Sequence, residues 1–184
     1  FHLHEVSITE GSLELNADVE LIIDSERREK IVSNHSATHL LHSALRKVLG
    51  ESVEQRGSLV NEEKLRFDFS HSNKVTDDQI MEIEDIVNLK IEEAIDTKTE
   101  VLPYEDALKT GALAFFGDKY GEKVRVVYIN GDFSVEFCGG THVKNTSEIG
   151  GFAVTNETSV SSGVRRIEAI SGDKYYKESQ NALK

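Results

Sequence analysis

His35 and His39 stand four residues apart, and so do Cys138 and His142. On a helix a spacing of four sets two imidazoles on one face, within reach of a single ion. The second pair bounds the string Cys138-Gly139-Gly140-Thr141-His142, whose two glycines let a tight loop bring thiolate and imidazole together. Three histidines and one cysteine form a mixed nitrogen and sulfur donor set, which suits a tetrahedral, borderline-soft cation and points to Zn²⁺ ahead of Mg²⁺ or Ca²⁺. A buried, hydrogen-bonded polar cluster that holds helix to loop without a metal is the competing reading. Either pair alone is a common pattern, but two matching pairs, one with the sole cysteine, favour a shared ion.

The helix string His35-Ser36-Ala37-Thr38-His39 lacks the glutamate that serves as general base in H-E-x-x-H metalloproteases, so a peptidase of that type is not expected. Four simultaneous protein ligands would make the site closed and structural. Three with an open position would supply Lewis acidity for hydrolysis. Spacing alone leaves both open.

The elements that must position these residues are legible in the periodicity. Asp24 and Ser25 are good N-caps, and Ile31, Val32, Leu41, Ala44, Leu45, Val48 and Leu49 recur at helical spacing before Gly50. A helix is therefore expected over 26–49, with a restart at Ser33 and Asn34, whose side chains bond readily to nearby amides. Strands are expected over 52–60 and 64–70, the second with Leu65, Phe67 and Phe69 on one face. A helix from Asp77 to about residue 96, a short strand over 99–103 ended by Pro103, and a short helix over 105–109 follow. Asn130-Gly131 between apolar runs predicts a hairpin of 123–129 with 133–137, which puts Cys138 at a strand end. Residues 151–170 favour strands broken at Ser162-Gly163, and Gly172 precedes a polar helix start. Residues 2–8 and 12–23 alternate about Thr9-Glu10-Gly11 and predict a half-buried hairpin in a small β module.

The expected fold class is α+β: an antiparallel sheet packed against two main helices, preceded by a small β-barrel remnant over 1–25, with a main domain over 26–172 and the start of a C-terminal linker helix over 173–184. A length of 184 residues allows one such domain with a small extra module. The net charge of −12 argues against binding nucleic acid by bulk attraction, so any RNA contact must be local. No apolar run approaches the roughly 20 residues of a membrane span. A single cysteine and no signal-peptide pattern point to the reducing cytoplasm. A chain opening on Phe1 rather than Met is expected to be an excised piece of a longer protein.

Five strings taken together resemble successive blocks of the alanyl-tRNA synthetase family, in that family's order: Asn34 to His42 (NHSATHLLH), Gln55 to Val60 (QRGSLV), Leu65 to His71 (LRFDFSH), Phe137 to Val143 (FCGGTHV) and Ser162 to Ala169 (SGVRRIEA). The resemblance covers essentially the whole chain, its first 30 or so residues matching the end of the β-barrel before the family's editing domain. It implies hydrolysis of the ester joining serine or glycine to the tRNA for alanine, at a zinc-associated site distinct from aminoacylation. An alanine pocket cannot strongly exclude glycine or a side chain with one added hydroxyl, so a second sieve is needed. His35, His39, Cys138 and His142 would be the metal ligands and hydrolytic centre, and Gln55 matches a glutamine of the editing pocket. An amide near Gly139 and Gly140 would stabilise the oxyanion. The implied partners are the tRNA 3′ end and the rest of a synthetase chain, whose ATP-dependent ligase activity would lie elsewhere.

Other residues carry weaker expectations. His71, near Lys74, is a candidate for the tRNA end. Arg165 and Arg166 point to opposite strand faces, so one is expected on a phosphate and the other in an internal salt bridge. Thr38 is expected to bond the preceding helical turn, His42 to be a partly buried neighbour, and Phe67, Phe69, Phe115 and Phe116 to be core. A free-standing alanyl- or threonyl-type deacylase and a non-catalytic tRNA-docking module with structural zinc are the rival readings.

Overall fold

A computed structural model describes residues 3–114 and 120–182. The expected cores at Phe115 and Phe116 lie outside the described residues. Helix α1 (Ser25–Leu49) begins where Asp24 accepts a hydrogen bond from the Arg27 amide, and ends at Gly50, whose φ of 108° few other residues adopt. Strands β1 (Gln55–Val60) and β2 (Leu65–Ser70) form a hairpin, and α2 (Asp77–Glu92) starts on a reciprocal Thr76–Gln79 capping box. Strand β3 (Lys98–Pro103) leads into the short α3 (Tyr104–Lys109). Strands β4 (Lys123–Ile129) and β5 (Ser134–Phe137) turn through Asn130 and Gly131, both at positive φ as the Asn-Gly pair requires. A 3₁₀ turn (Thr146–Ile149), strands β6 (Phe152–Ser161) and β7 (Val164–Ser171), and α4 (Gly172–Ala182) complete the chain.

The strands form two antiparallel sheets, one of order β1-β2-β7-β6 and one of order β3-β4-β5. This is the expected α+β class, with two sheets where one was expected. Strand alternation turns Leu65, Phe67 and Phe69 of β2 and Ile167 and Ala169 of β7 to one face. There they bury Leu40, Leu41, Ala44 and Leu45 of α1 with Ile83 and Val87 of α2. The same core reaches the second sheet through Val127 and Ile129 of β4, which brings the end of β5 beside α1.

Two expectations are corrected. Helix α1 is continuous, because Ser33 and Asn34 bond outward: Ser33 Oγ donates to the Ile149 carbonyl at 2.9 Å, and Asn34 Nδ2 donates to the Asn61 carbonyl at 2.9 Å. They tether the helix to the 3₁₀ turn and the β1–β2 loop instead of capping a second segment. Over 3–23 the described residues form no strand, and their apolar side chains stay exposed, Leu3 by 96% and Leu15 by 92%. A two-stranded ribbon with no third strand or core to cover it is marginal in water, so alternation alone does not make a hairpin here.

Candidate metal centre

Helix α1 carries His35 and His39 on the face turned toward the end of β5, as their spacing requires. Cys138 follows the last residue of β5, and Arg125 of β4 clasps the loop after it by donating to the carbonyls of Cys138 at 2.8 Å and Gly140 at 2.7 Å. Held this way, the loop passes so close to α1 that a Cβ on Gly140 would lie 2.2 Å from His35 Cε1. Glycine at 140 is thus a condition of the approach.

One ligand atom from each of His35, His39, Cys138 and His142 lies within 4.8 Å of all the others. Cys138 Sγ is 3.3 Å from His142 Nε2 and 3.5 Å from His35 Nε2. Zinc bonds of about 2.3 Å to sulfur and about 2.0 Å to nitrogen give a tetrahedral S···N edge of about 3.5 Å. The two separations from the sulfur therefore match that edge.

Two of the nitrogens that face away from this cluster have partners. His35 Nδ1 is 3.1 Å from the Thr141 carbonyl, which can only accept, so the proton sits on Nδ1 and Nε2 presents its lone pair to the cluster. His142 Nδ1 lies 3.2 Å from Ser36 Oγ, which also accepts from the Val143 amide. His39 Nδ1 faces the Glu136 carboxylate at 3.5 Å, just outside hydrogen-bonding geometry. Outer partners of this kind fix the tautomer and orientation of metal-binding imidazoles.

Burial lowers the His35 pKa to about 4 and the His142 pKa to about 2, with neighbouring imidazoles adding to the effect. Burial also lowers His39, against the pull of Glu136, and pushes the Cys138 thiol up. Glu136 itself stays below the usual carboxylate range: burial opposes ionisation, but His39 and His42 together outweigh it. Neutral imidazoles facing a protonated thiol do not make a thiolate nucleophile activated by imidazolium. They are a donor set that could hold a cation, which would draw off the thiol proton.

The cluster opens on a cavity of about 260 Å³ that is also lined by Thr38, Gln55, Ser58 and Val60. Gln55, at the start of β1, thus shares this cavity with His35, His39 and Cys138. Thr38 Oγ1 donates to the Asn34 carbonyl at 2.8 Å, the back-bond expected of a mid-helix threonine, and still lines the cavity. The Gly140 amide points at Cys138 Sγ at 3.4 Å, so the oxyanion expectation now falls on Gly139.

The remaining candidates are placed elsewhere. Arg165 forms a two-point ion pair with Glu157, both bonds at 2.6 Å, and Arg166 forms one with Asp68 at 2.6 and 2.8 Å. Both guanidiniums are engaged, where one was expected to be. His71 follows β2 and stacks on Phe69, with ring centroids 6.4 Å apart. Phe67 and Phe69 are core. His42 is fully buried rather than partly so, its Nδ1 3.0 Å from Glu136 Oε1.

Glu136, Ser36 and Arg125 are the residues that sequence reasoning missed. Glu136 had a usable signal. In a strand, residues 134, 136 and 138 share a face, so a Cys138 that faces α1 brings Glu136 with it.

With this geometry in place, comparison with known proteins adds a lineage. Residues 124–168 match the family described as the threonyl and alanyl tRNA synthetase second additional domain. An alanine-tRNA ligase of Halalkalibacterium halodurans is 54% identical over 93% of this chain and 19% of its own length. One from Listeria innocua is 47% identical over 100% of this chain and 21% of its own length. One from Pseudothermotoga lettingae is 52% identical over 92% of this chain and 20% of its own length. The chain thus spans about a fifth of the curated relatives it matches.

Proposed function

Since this chain belongs to the alanyl-tRNA synthetase family along essentially its whole length, we propose that it is an editing domain that hydrolyses the ester of wrongly attached serine or glycine on the tRNA for alanine. In a longer chain it would serve beside an alanine ligation site, in the cytoplasm. The observation that carries the reading is the convergence of three imidazoles and one thiol beside a cavity, with Gln55 and Thr38 on its wall. A small cavity next to a cation site suits ester hydrolysis, and proofreading supplies the reason for a second site that admits serine and glycine.

Zinc held by His35, His39, Cys138 and His142 would supply Lewis acidity toward the ester. The protein's own groups do the rest. The ester end of the tRNA enters beside β1, where the Gln55 amide offers both a donor and an acceptor. Thr38 Oγ1 has spent its proton on Asn34 and presents lone pairs, which suit a serine hydroxyl or the α-ammonium of either amino acid. The Gly139 amide is the donor nearest in the chain to Cys138 for charge developing on the carbonyl oxygen. Thr141 and Ser36 hold His35 and His142 with their Nε2 atoms forward.

A second reading has its own supporting observation: four protein donors can close a zinc site and make it purely structural. The two readings part on Cys138→Ala tested with seryl-tRNA, glycyl-tRNA and alanyl-tRNA. The editing reading expects release of serine and glycine but little alanine, with the rates for both collapsing in the variant. Bound zinc without release of either amino acid from the unmodified chain would favour the structural role, and unchanged turnover in the variant would reject the editing centre.

A further inference from the structure

Glu136 is a carboxylate with almost no exposure, at 1%, set in β5 two residues before Cys138. Taking an isolated carboxylate out of water is expensive, so its surroundings must compensate. Oε1 accepts from His42 Nδ1 at 3.0 Å and lies 3.5 Å from Ser134 Oγ. Oε2 is turned to His39 Nδ1 at 3.5 Å. Among the described residues His39 Nδ1 has no hydrogen-bond partner, although it is fully buried. One oxygen is therefore anchored from the side opposite the cluster, and the other faces a nitrogen that needs an acceptor.

We infer that Glu136 is the positioning residue for His39: anchored by His42 and Ser134, its carboxylate holds the His39 proton on Nδ1 and so keeps Nε2 free as a ligand in the cluster. This rests on the reading of the four-residue cluster as a metal centre. His35 and His142 take the same service from the Thr141 carbonyl and from Ser36, so all three imidazoles are oriented from behind. A few tenths of an ångström of movement, such as an ion's pull on the imidazole or rotation of the carboxylate, would bring the 3.5 Å separation into hydrogen-bonding range.

The role also gives His42 a purpose. Its Nε2 is buried without a partner among the described residues, so His42 is bound only on the Glu136 side and no bond to Nε2 opposes a change of tautomer. Replacing Glu136 by Gln would leave one acceptor and one donor between two imidazoles. His42 can adapt to the donor, which leaves the acceptor for His39. Glu136→Leu removes both acceptors while keeping an apolar side chain of similar bulk.

The test combines zinc affinity, measured by competition with a chromophoric chelator, with ¹⁵N tautomer assignment of the imidazoles in metal-free protein. The unmodified chain should show His39 protonated on Nδ1. Glu136→Leu should weaken zinc by the roughly 10–100-fold that loss of an outer-shell partner costs, with His39 carrying its proton on Nε2 in part of the population. Glu136→Gln should recover most of the affinity and show His42 in the switched tautomer. A mere space-filling role predicts that Leu binds zinc as well as Glu, and that result would overturn the inference. So would an unmodified chain with His39 protonated on Nε2, a measurement that needs neither variant to fold nor zinc to bind. Failure of the unmodified chain to bind zinc would tell against the metal centre instead.

Discussion

Gly140→Ala isolates the packing on which the cluster depends. The added methyl would sit 2.2 Å from His35 Cε1 and 2.8 Å from His35 Nδ1. Carbon atoms settle at about 3.5–4.0 Å, so the imidazole or the loop must retreat by more than about 1 Å. Metal sites tolerate displacements of about 0.2 Å, and the retreat would also strain the 3.1 Å bond from His35 to the Thr141 carbonyl. Position 140 is not in the left-handed region of backbone space, so alanine meets no backbone penalty and the effect is steric. Overpacking of this kind costs about 1–3 kcal/mol of stability, while effective loss of one ligand should weaken zinc by at least the roughly 10–100-fold seen for outer-shell changes. Gly139→Ala is the matched control, because nothing lies within 4 Å of its added methyl. Chelator competition on the two variants reads the difference. Normal zinc affinity in Gly140→Ala, or equal losses in both, would show that the close approach of residue 140 to His35 does not set the cluster.

Three further outcomes follow from the same structure. In metal-free protein His35 and His142 are neutral down to about pH 4 and about pH 2, whereas in the unfolded chain they take up protons near pH 6.5. Their contribution to folding stability should therefore be constant above pH 6.5 and fall below it toward pH 4, by up to about 1.4 kcal/mol per pH unit per histidine; urea midpoints that do not move across that window would contradict this. Asp68→Asn breaks the two-point pair with Arg166 across β2 and β7 and should cost about 1–3 kcal/mol in urea unfolding without altering zinc affinity. Glu84, half-buried, has its pKa raised by burial while accepting from the Val154 amide at 2.6 Å. Its ionisation therefore opposes folding as pH rises above the ordinary carboxylate range, and Glu84→Gln, which keeps an acceptor, should flatten that decline in stability measured against pH.

The convergence of His35, His39, Cys138 and His142 was legible because their spacing repeats elements that local rules specify: four residues on a helix, and a glycine loop at the end of a hairpin that Asn130-Gly131 announces. Helix α1, helix α2 and the β6–β7 hairpin followed from periodicity and caps for the same reason. What escaped was set by tertiary contact. Glu136 reads as an ordinary polar strand residue until the fold brings β5 against α1. Ser33 and Asn34 have the local chemistry of caps, yet the Ile149 and Asn61 carbonyls offer them better partners across the fold. Residues 3–23 alternate like strands, but pairing needs a neighbour as well as a pattern. Arg165 and Arg166 take opposite faces as expected; Glu157 meets Arg165 across the β6–β7 hairpin, whereas Asp68 meets Arg166 from β2, distant in sequence though adjacent in the sheet.

Serine release from seryl-tRNA by metal-stripped protein, before and after one equivalent of zinc, shows whether the cluster hydrolyses through its ion. A zinc-dependent editing centre should give negligible release from the stripped protein and recovery on adding zinc, with no recovery in Cys138→Ala. Release that proceeds equally well with the metal removed would contradict it.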